Sequence, residues 1–332
     1  MPSALITGIT GQDGGYLAER LVGEGVAVHG MVHDGDPHVA DLLARVPSVV
    51  LHTGDLTDEQ SLAQVVADSA PDEVYNFAGI SSVAFSWERP VLTADVTAMG
   101  AARLLEQVWQ HQERTGTPVR FVQASSAEIF GDALVSPQDE STPLAPTSPY
   151  GASKAFGHQL VSVYRGRGLH AVSTILYNHE SPRRPSGFVT RKITRGAAAI
   201  ARGRLDRLKL GNLDARRDWG WAPDYVDAMV RAGAHDVAQD YVIATGVARS
   251  VREFVAAAFA HVGLTDWEHR VQVDDALVRP TDASELRGDA SRARHLLGWA
   301  PTVTFDDIVG RMVEADLAEL DLEAQSSSSP SR

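Results

Sequence analysis

The sequence of 332 residues contains no cysteine. Disulfides, thiolate metal centres and a cysteine nucleophile are therefore excluded. It has no run approaching the ~20 apolar residues that a membrane helix needs. Met1-Pro2-Ser3 passes straight into Ala4-Leu5-Ile6, without a basic n-region, a long apolar h-region or a cleavage site. A cytoplasmic chain with no membrane partner is expected. Positive charge is in deficit: 30 Lys and Arg stand against 43 Asp and Glu, a net charge of −13. That balance argues against nucleic acid or an anionic membrane as partner. The remainder is ordinary for a globular chain, with 44% hydrophobic and 22% charged residues. Its length suits one large domain or two intimate ones.

Short β-branched runs at residues 4–7, 26–32, 49–52, 73–76, 119–124 and 171–176 alternate with helical patterns at 16–23, 61–66 and 97–110. Strands alternating with helices predict βαβ units and a doubly wound parallel sheet, with ligands at the carboxyl ends of the strands. After Asn178 the pattern changes. Residues 183–217 hold 11 Lys and Arg against two acids, a local +9, and lack strand alternation. A strand at 241–244 and helices at 251–261 and 305–320 follow. The expected division is a dinucleotide-binding domain of residues 1–177 plus about 219–250, an interleaved C-terminal substrate lobe of 178–218 and 251–322, and a disordered tail of 323–332 rich in Ser, Pro and charge.

The first strand runs into Gly8, Gly11 and Gly14 with the spacing G-x-x-G-x-x-G, enclosing Thr10, Gln12 and Asp13. Between a strand and a helix, this spacing lets backbone approach a pyrophosphate at a helix N-terminus. The ribose is read at the end of the second strand, which continues His33-Asp34-Gly35-Asp36. Asp34 there suits a 2′-hydroxyl and hence NAD; Asp34 and Asp36 equally suit a solvated turn. Asp55-Leu56 follows the third strand, placing a carboxylate near an adenine amino group or at a helix N-cap. Phe77-Ala78-Gly79 follows the fourth, where backbone would pass the cofactor or simply leave the strand.

Tyr150-Gly151-Ala152-Ser153-Lys154 spaces a phenol and an ammonium at i, i+4 on one helix face. A neighbouring cation lowers a phenol's pKa toward use as a base. Ser126 and Glu128, after the fifth strand, supply a hydroxyl and a carboxylate to the same place. No metal ligand set is evident.

With these residues in place, the chain resembles the extended short-chain dehydrogenases/reductases, and among them the GDP-mannose 4,6-dehydratases, over about residues 3–320. The glycine segment, Asn178-His179-Glu180-Ser181-Pro182-Arg183-Arg184, Phe188-Val189-Thr190-Arg191-Lys192-Ile193 and Leu210–Gly220 carry the likeness. The resemblance implies a Rossmann-type sheet and NADP as cofactor, with His179 among its contacts and GDP-mannose as substrate. Tyr150 assisted by Lys154 would take the 4-hydroxyl proton, Glu128 the C5 proton, and Ser126 would bond near O4. Asn178, Lys192, Arg217 and Arg279 would hold the nucleotide diphosphate, with Ser81 near the sugar. Arg202, Arg204 and Arg207 read as surface salt bridges.

The chain also departs from the family. Ser126 stands where Thr is frequent. Ala127 stands where Ser, or Asp in related dehydratases, is usual, so Glu128 would serve as both base and acid. His33-Asp34-Gly35 replaces an Arg-Arg-Ser that grips the NADP 2′-phosphate, which leaves NAD open. The loop after it is short, so a homodimer through a helix pair from each subunit is expected, with a tetramer as the alternative. A 4-keto-6-deoxy-sugar reductase or a C4 epimerase would have no use for Glu128. A decarboxylase would lack the 178–184 segment. A cofactor-sensing regulatory protein could dispense with Tyr150 or Lys154.

Overall fold

The computed structural model describes residues 1–277, 281 and 283–328. Seven parallel strands, β1 (Ser3–Thr7), β2 (Ala27–Val32), β3 (Val50–Thr53), β4 (Glu73–Asn76), β5 (Arg120–Ala124), β6 (His170–Leu176) and β7 (Asp240–Ile243), form one sheet. Their order is β7-β6-β5-β4-β1-β2-β3, so the chain reverses direction across the sheet between β1 and β4. The crevice at that reversal is where such sheets bind ligands.

Apolar runs rather than alternating ones mark these strands because helices cover both faces. Ala4 and Ile6 point to one side, packing with Leu17, Leu21, Val226 and Met229 from helices Gln12–Gly23 and Ala222–Ala234. Leu5 points to the other, packing with Leu62, Val65, Leu104 and Val108 from Glu59–Ser69 and Gly100–Thr115. Emptying either layer, for example with Phe121→Ala, would cost about 3–5 kcal/mol.

A second core gathers Ile193, Leu208, Trp219, Phe254, Phe259, Ile308 and Met312. It lies among helices Val189–Ala201, Val251–His261 and Phe305–Ser328. Strand Arg216–Trp221 stitches this lobe together, pairing with Asn178–Glu180, Ala248–Ser250 and Glu285–Leu286.

The last helix differs from expectation. It continues through Glu323 to Ser328, where a disordered tail was expected from residue 323. Ion pairs made by the basic segment account for this. Arg191 meets Asp316 at 2.7 Å and Glu319 at 2.8 Å. Arg195 reaches Glu319 and Glu323, Arg202 reaches Asp321, and Arg204 reaches Glu323. Asp316 is fully buried against Arg191. Four of the eleven basic residues of 183–217, Arg191, Arg195, Arg202 and Arg204, are thus paired with this helix, while Arg184, Lys192 and Arg217 line the cavity described below. Arg202 and Arg204 are salt-bridged as expected.

Candidate active site

β1, β2, β3 and β4 end side by side, so the segments following them share one rim. Gly11 caps helix Gln12–Gly23 and brings no side-chain acceptor to its first N–H groups. A Cβ on Gly14 would stand 2.4 Å from the Gly8 carbonyl and 2.6 Å from Ile9 Cα. Only glycine lets the helix sit this close to the loop. The result is a backbone cradle facing a positive helix end, which fits a dinucleotide pyrophosphate.

Other rim residues have local duties. Thr10 Oγ1 donates to Asp36 Oδ2 at 2.7 Å. His33 and Asp34 are exposed. Asp55 accepts from the Thr57 N–H and hydroxyl, both at 2.8 Å, and so closes a turn. The N-cap considered for Asp55 belongs instead to Asp58, which accepts from Gln60 N. Leu56 turns its side chain into the core against Gly100, leaving only backbone toward the rim. Ala78 is anchored from below, its N–H donating to Thr7 Oγ1 at 3.2 Å. Gly79 packs against Thr97.

From the rim the site deepens into a cavity of about 450 Å³. Its lining includes Asp13, Phe77, Ser81, Ser126, Glu128, Tyr150, Lys154, Asn178, His179, Lys192 and Arg217. Residues from three strand ends and the second lobe thus meet as the sequence suggested. Arg279 lies outside the described residues.

The helix Pro149–Gly166 begins with Ser148 capping Gly151 N at 3.0 Å and Pro149 in the first turn. That start places Tyr150 and Lys154 one turn apart on the cavity wall. A Cβ on Gly151 would stand 2.5 Å from the Glu128 carbonyl, so the helix N-terminus lies directly on the Ser126–Glu128 turn. Ser126 Oγ accepts from Glu128 N at 3.3 Å and shares a hydrogen bond with the Tyr150 hydroxyl.

Burial pushes the Tyr150 phenol up to about 12, reinforced by the nearby Glu128 charge and opposed by Ser126. This reverses the direction inferred from the i, i+4 spacing. Lys154 Nζ sits 5.9 Å from the phenol ring centre and donates to the Ala124 carbonyl at 2.9 Å. Burial pulls that ammonium down from 10.5 to about 8, against the pull of Asp13. Desolvation therefore outweighs mutual attraction in this cleft.

Asp13 and His179 form a pair across the two lobes. His179 Nε2 meets Asp13 Oδ2 at 2.9 Å, Nδ1 meets the Tyr177 carbonyl at 2.7 Å, and the ring stacks on Tyr225. Both ring nitrogens face acceptors, which favours imidazolium. Burial alone would lower the His179 pKa, but Asp13 raises it above the ordinary value. Burial would likewise raise Asp13, but His179 and Gln12 hold it below the usual range. Gln12 is engaged too: its amide donates to the His179 carbonyl and its oxygen accepts from Ser181 at 2.8 Å.

Toward the second lobe, Arg217 is buried, with Nη1 donating to the Arg216 and Ala283 carbonyls at 2.8 Å. Its neighbour Arg216 turns outward to Glu253 and Glu285. Lys192 lies in the first turn of Val189–Ala201. Sequence reasoning passed over Arg184, which lines the cavity, pairs with Glu180 at 3.2 Å and stacks 3.8 Å over Phe188. It stood inside the quoted 178–184 segment, where an arginine beside a cluster of polar residues was the available signal.

The switch-point sheet, the glycine cradle and the Ser–Tyr–Lys constellation together define a Rossmann-type oxidoreductase scaffold of the extended short-chain dehydrogenase/reductase class. Comparison with known proteins narrows this. A family model described as GDP-mannose 4,6 dehydratase matches residues 5–312. GDP-mannose 4,6 dehydratase 1 of Arabidopsis thaliana is 46% identical over 329 residues, covering 95% of this chain and 89% of that protein. The GDP-mannose 4,6 dehydratase of Homo sapiens is 43% identical, covering 95% and 91%. The solved UDP-glucose 4-epimerase of Thermus thermophilus, complexed with NAD, is similar in fold with a TM-score of 0.81 and 26% identity, covering 95% and 98%. The chain belongs to the GDP-mannose 4,6-dehydratase family.

Proposed function

We propose that this protein converts GDP-mannose to its 4-keto-6-deoxy derivative by internal redox with a nicotinamide dinucleotide. The observation carrying the reading is the convergence of Ser126, Glu128, Tyr150 and Lys154 on one cavity that Lys192 and Arg217 also line. A half-buried carboxylate beside the phenol has work in an elimination and none in a simple carbonyl reduction.

When bound, an oxidised nicotinamide would supply the acceptor and later donor of hydride, together with one positive charge. Tyr150 acts as phenolate to take the 4-hydroxyl proton, with Ser126 orienting that oxygen, and delivers it to C5 as hydride returns to C6. Lys154, fixed on the Ala124 carbonyl, keeps a cation next to the Tyr150 ring. Loss of the 4-hydrogen makes a ketone and acidifies C5; Glu128 removes the C5 proton. Ala127 has no polar side chain to help the 6-hydroxyl leave, so Glu128 returns that proton and water departs. Arg217, Lys192 and Asn178 bind diphosphate oxygens, with Ser81 toward the sugar. Exposed Phe85, Trp87, Phe156 and Val163 on helices Val83–Glu88 and Pro149–Gly166 suit a homodimer built from helices of each subunit.

Incubation with GDP-mannose deuterated at C4 tests the reading. Deuterium should appear at C6 without added reductant. A product that retains its 6-hydroxyl, or one that consumes stoichiometric NADPH, would overturn it. Glu128→Gln should stop elimination after C4 oxidation, leaving deuterium on the nicotinamide; full turnover by that variant would remove Glu128 from its role.

A further inference from the structure

We infer that this enzyme selects NAD over NADP, and that Asp36, tethered to the glycine loop by Thr10, makes the selection. The inference rests on the nicotinamide reading above and deepens it.

Thr10 lies between Gly8 and Gly11, in the loop that cradles the pyrophosphate. Its hydroxyl donates to Asp36 Oδ2 at 2.7 Å, and His38 N donates to Oδ1 at 2.9 Å. Two bonds, one to each oxygen, tie the carboxylate to both the glycine loop and the segment after β2. In this architecture the adenosine ribose lies at that place. Asp34 is the residue nearer the strand end, but it is exposed and its carboxylate has no hydrogen bond among the described residues. Orientation singles out Asp36.

The chemistry then discriminates. An ionised carboxylate only accepts hydrogen bonds. Burial would raise the Asp36 pKa, but the His38 N–H and the Thr10 hydroxyl hold it below the usual carboxylate range. Each oxygen keeps a lone pair for a ribose hydroxyl. A 2′-phosphate has no such hydroxyl to offer there and brings about −1.5 to −2 charges. Asp55 on the adjoining rim adds a second anion.

Countercharge is lacking at the end of β2: between His33 and His38 there is no Lys or Arg. Arg45 and Arg183 share one carboxylate, Glu19, at 3.0 and 2.8 Å, and the positive charge left over lies beside Gly15 on the cradle helix, with Arg183 over Tyr16. Arg103 is held by Asp95 at 2.8 Å. Among the described residues, the other groups at this rim that could carry positive charge are His33 and His38, both exposed.

The test is calorimetric binding of NAD and NADP to the purified chain, with mass spectrometry of any nucleotide released from it by acid. NAD should bind at least tenfold more tightly and be the nucleotide released. Asp36→Ser should shrink the ratio to threefold or less, chiefly by improving NADP. Asp36→Asn, which keeps the shape and drops the charge, should move in the same direction and serves if the serine variant misfolds. Asp41→Asn, the same charge change on the neighbouring helix, should leave the ratio within twofold. Equal or tighter binding of NADP by the unaltered protein would overturn the inference and leave the dehydratase reading standing. A ratio that collapses in Asp34→Ser but not in Asp36→Ser would overturn the role of Asp36. Binding of neither nucleotide would overturn the nicotinamide reading itself.

Discussion

Replacing Lys154 by methionine isolates what burial does to the catalytic ammonium, without substrate. Methionine has similar length and no proton to titrate. The Ala124 carbonyl keeps its bond from Gln123 Nε2 at 3.0 Å, so no buried acceptor is orphaned. The Lys154 pKa falls from 10.5 to about 8 on folding, chiefly through desolvation. At ~1.36 kcal/mol per unit this is about 3 kcal/mol that folding loses at neutral pH. Between pH 8 and 10.5 the unfolded chain binds more protons at this site than the folded one, so stability rises with pH there. Relative to Lys154→Met, the unaltered protein should therefore gain about 2 kcal/mol between pH 7 and 9.5, roughly 1.5 units of the window. Urea unfolding of both proteins at each pH, with coincident fluorescence and circular dichroism transitions, gives the difference. Other titrating groups cancel in it. A difference flat with pH would refute the reasoning and mean that the folded protein leaves the ammonium solvated.

Two further variants probe the supports of the site. Asp13→Asn leaves the buried His179 without its counter-ion and should cost about 3–5 kcal/mol at pH 6. The raised pKa of His179 stabilises fully below 6.5 and is lost as pH rises through its folded value; the lowered pKa of Asp13 stabilises above 3.8 and is lost below that. The deficit should accordingly peak between about pH 4 and 6.5 and shrink by pH 9, and a pH-independent deficit in chemical denaturation would contradict the pairing. Gly151→Ala drives a methyl into the Glu128 carbonyl and separates the Tyr150 helix from Glu128. kcat should fall about a hundredfold with KM nearly unchanged; steady-state kinetics showing a KM effect alone would place the contact outside catalysis.

The parallel sheet was legible because each strand is a short apolar run with a turn signal after it. The cradle was legible because its glycines sit between strand and helix. What escaped depended on distance in sequence or on burial. No local pattern says that Arg191 will meet Asp316 and Glu319, so the last helix read as ending early. The i, i+4 spacing of Tyr150 and Lys154 reports proximity, yet the sign of the shifts is set by how dry the cleft is. Asp55 and Asp58 both suit an N-cap, and only backbone geometry chooses between them. Asp36 read as a turn residue because its bond to Thr10 spans 26 positions.

Asp13 ties these threads together. It lies in the first turn of the cradle helix, yet its charge supports His179 and opposes the fall in the Lys154 pKa. Two cations from different lobes thus lean on one carboxylate that the glycine loop positions. Around them Glu180 faces Arg184, and Glu128 bears on Tyr150. A dry cleft would neutralise isolated charges. Distributing opposite charges between the cradle, the Tyr150 helix and the 178–184 segment keeps them ionised, so the electrostatics of the site depend on contacts that both lobes supply.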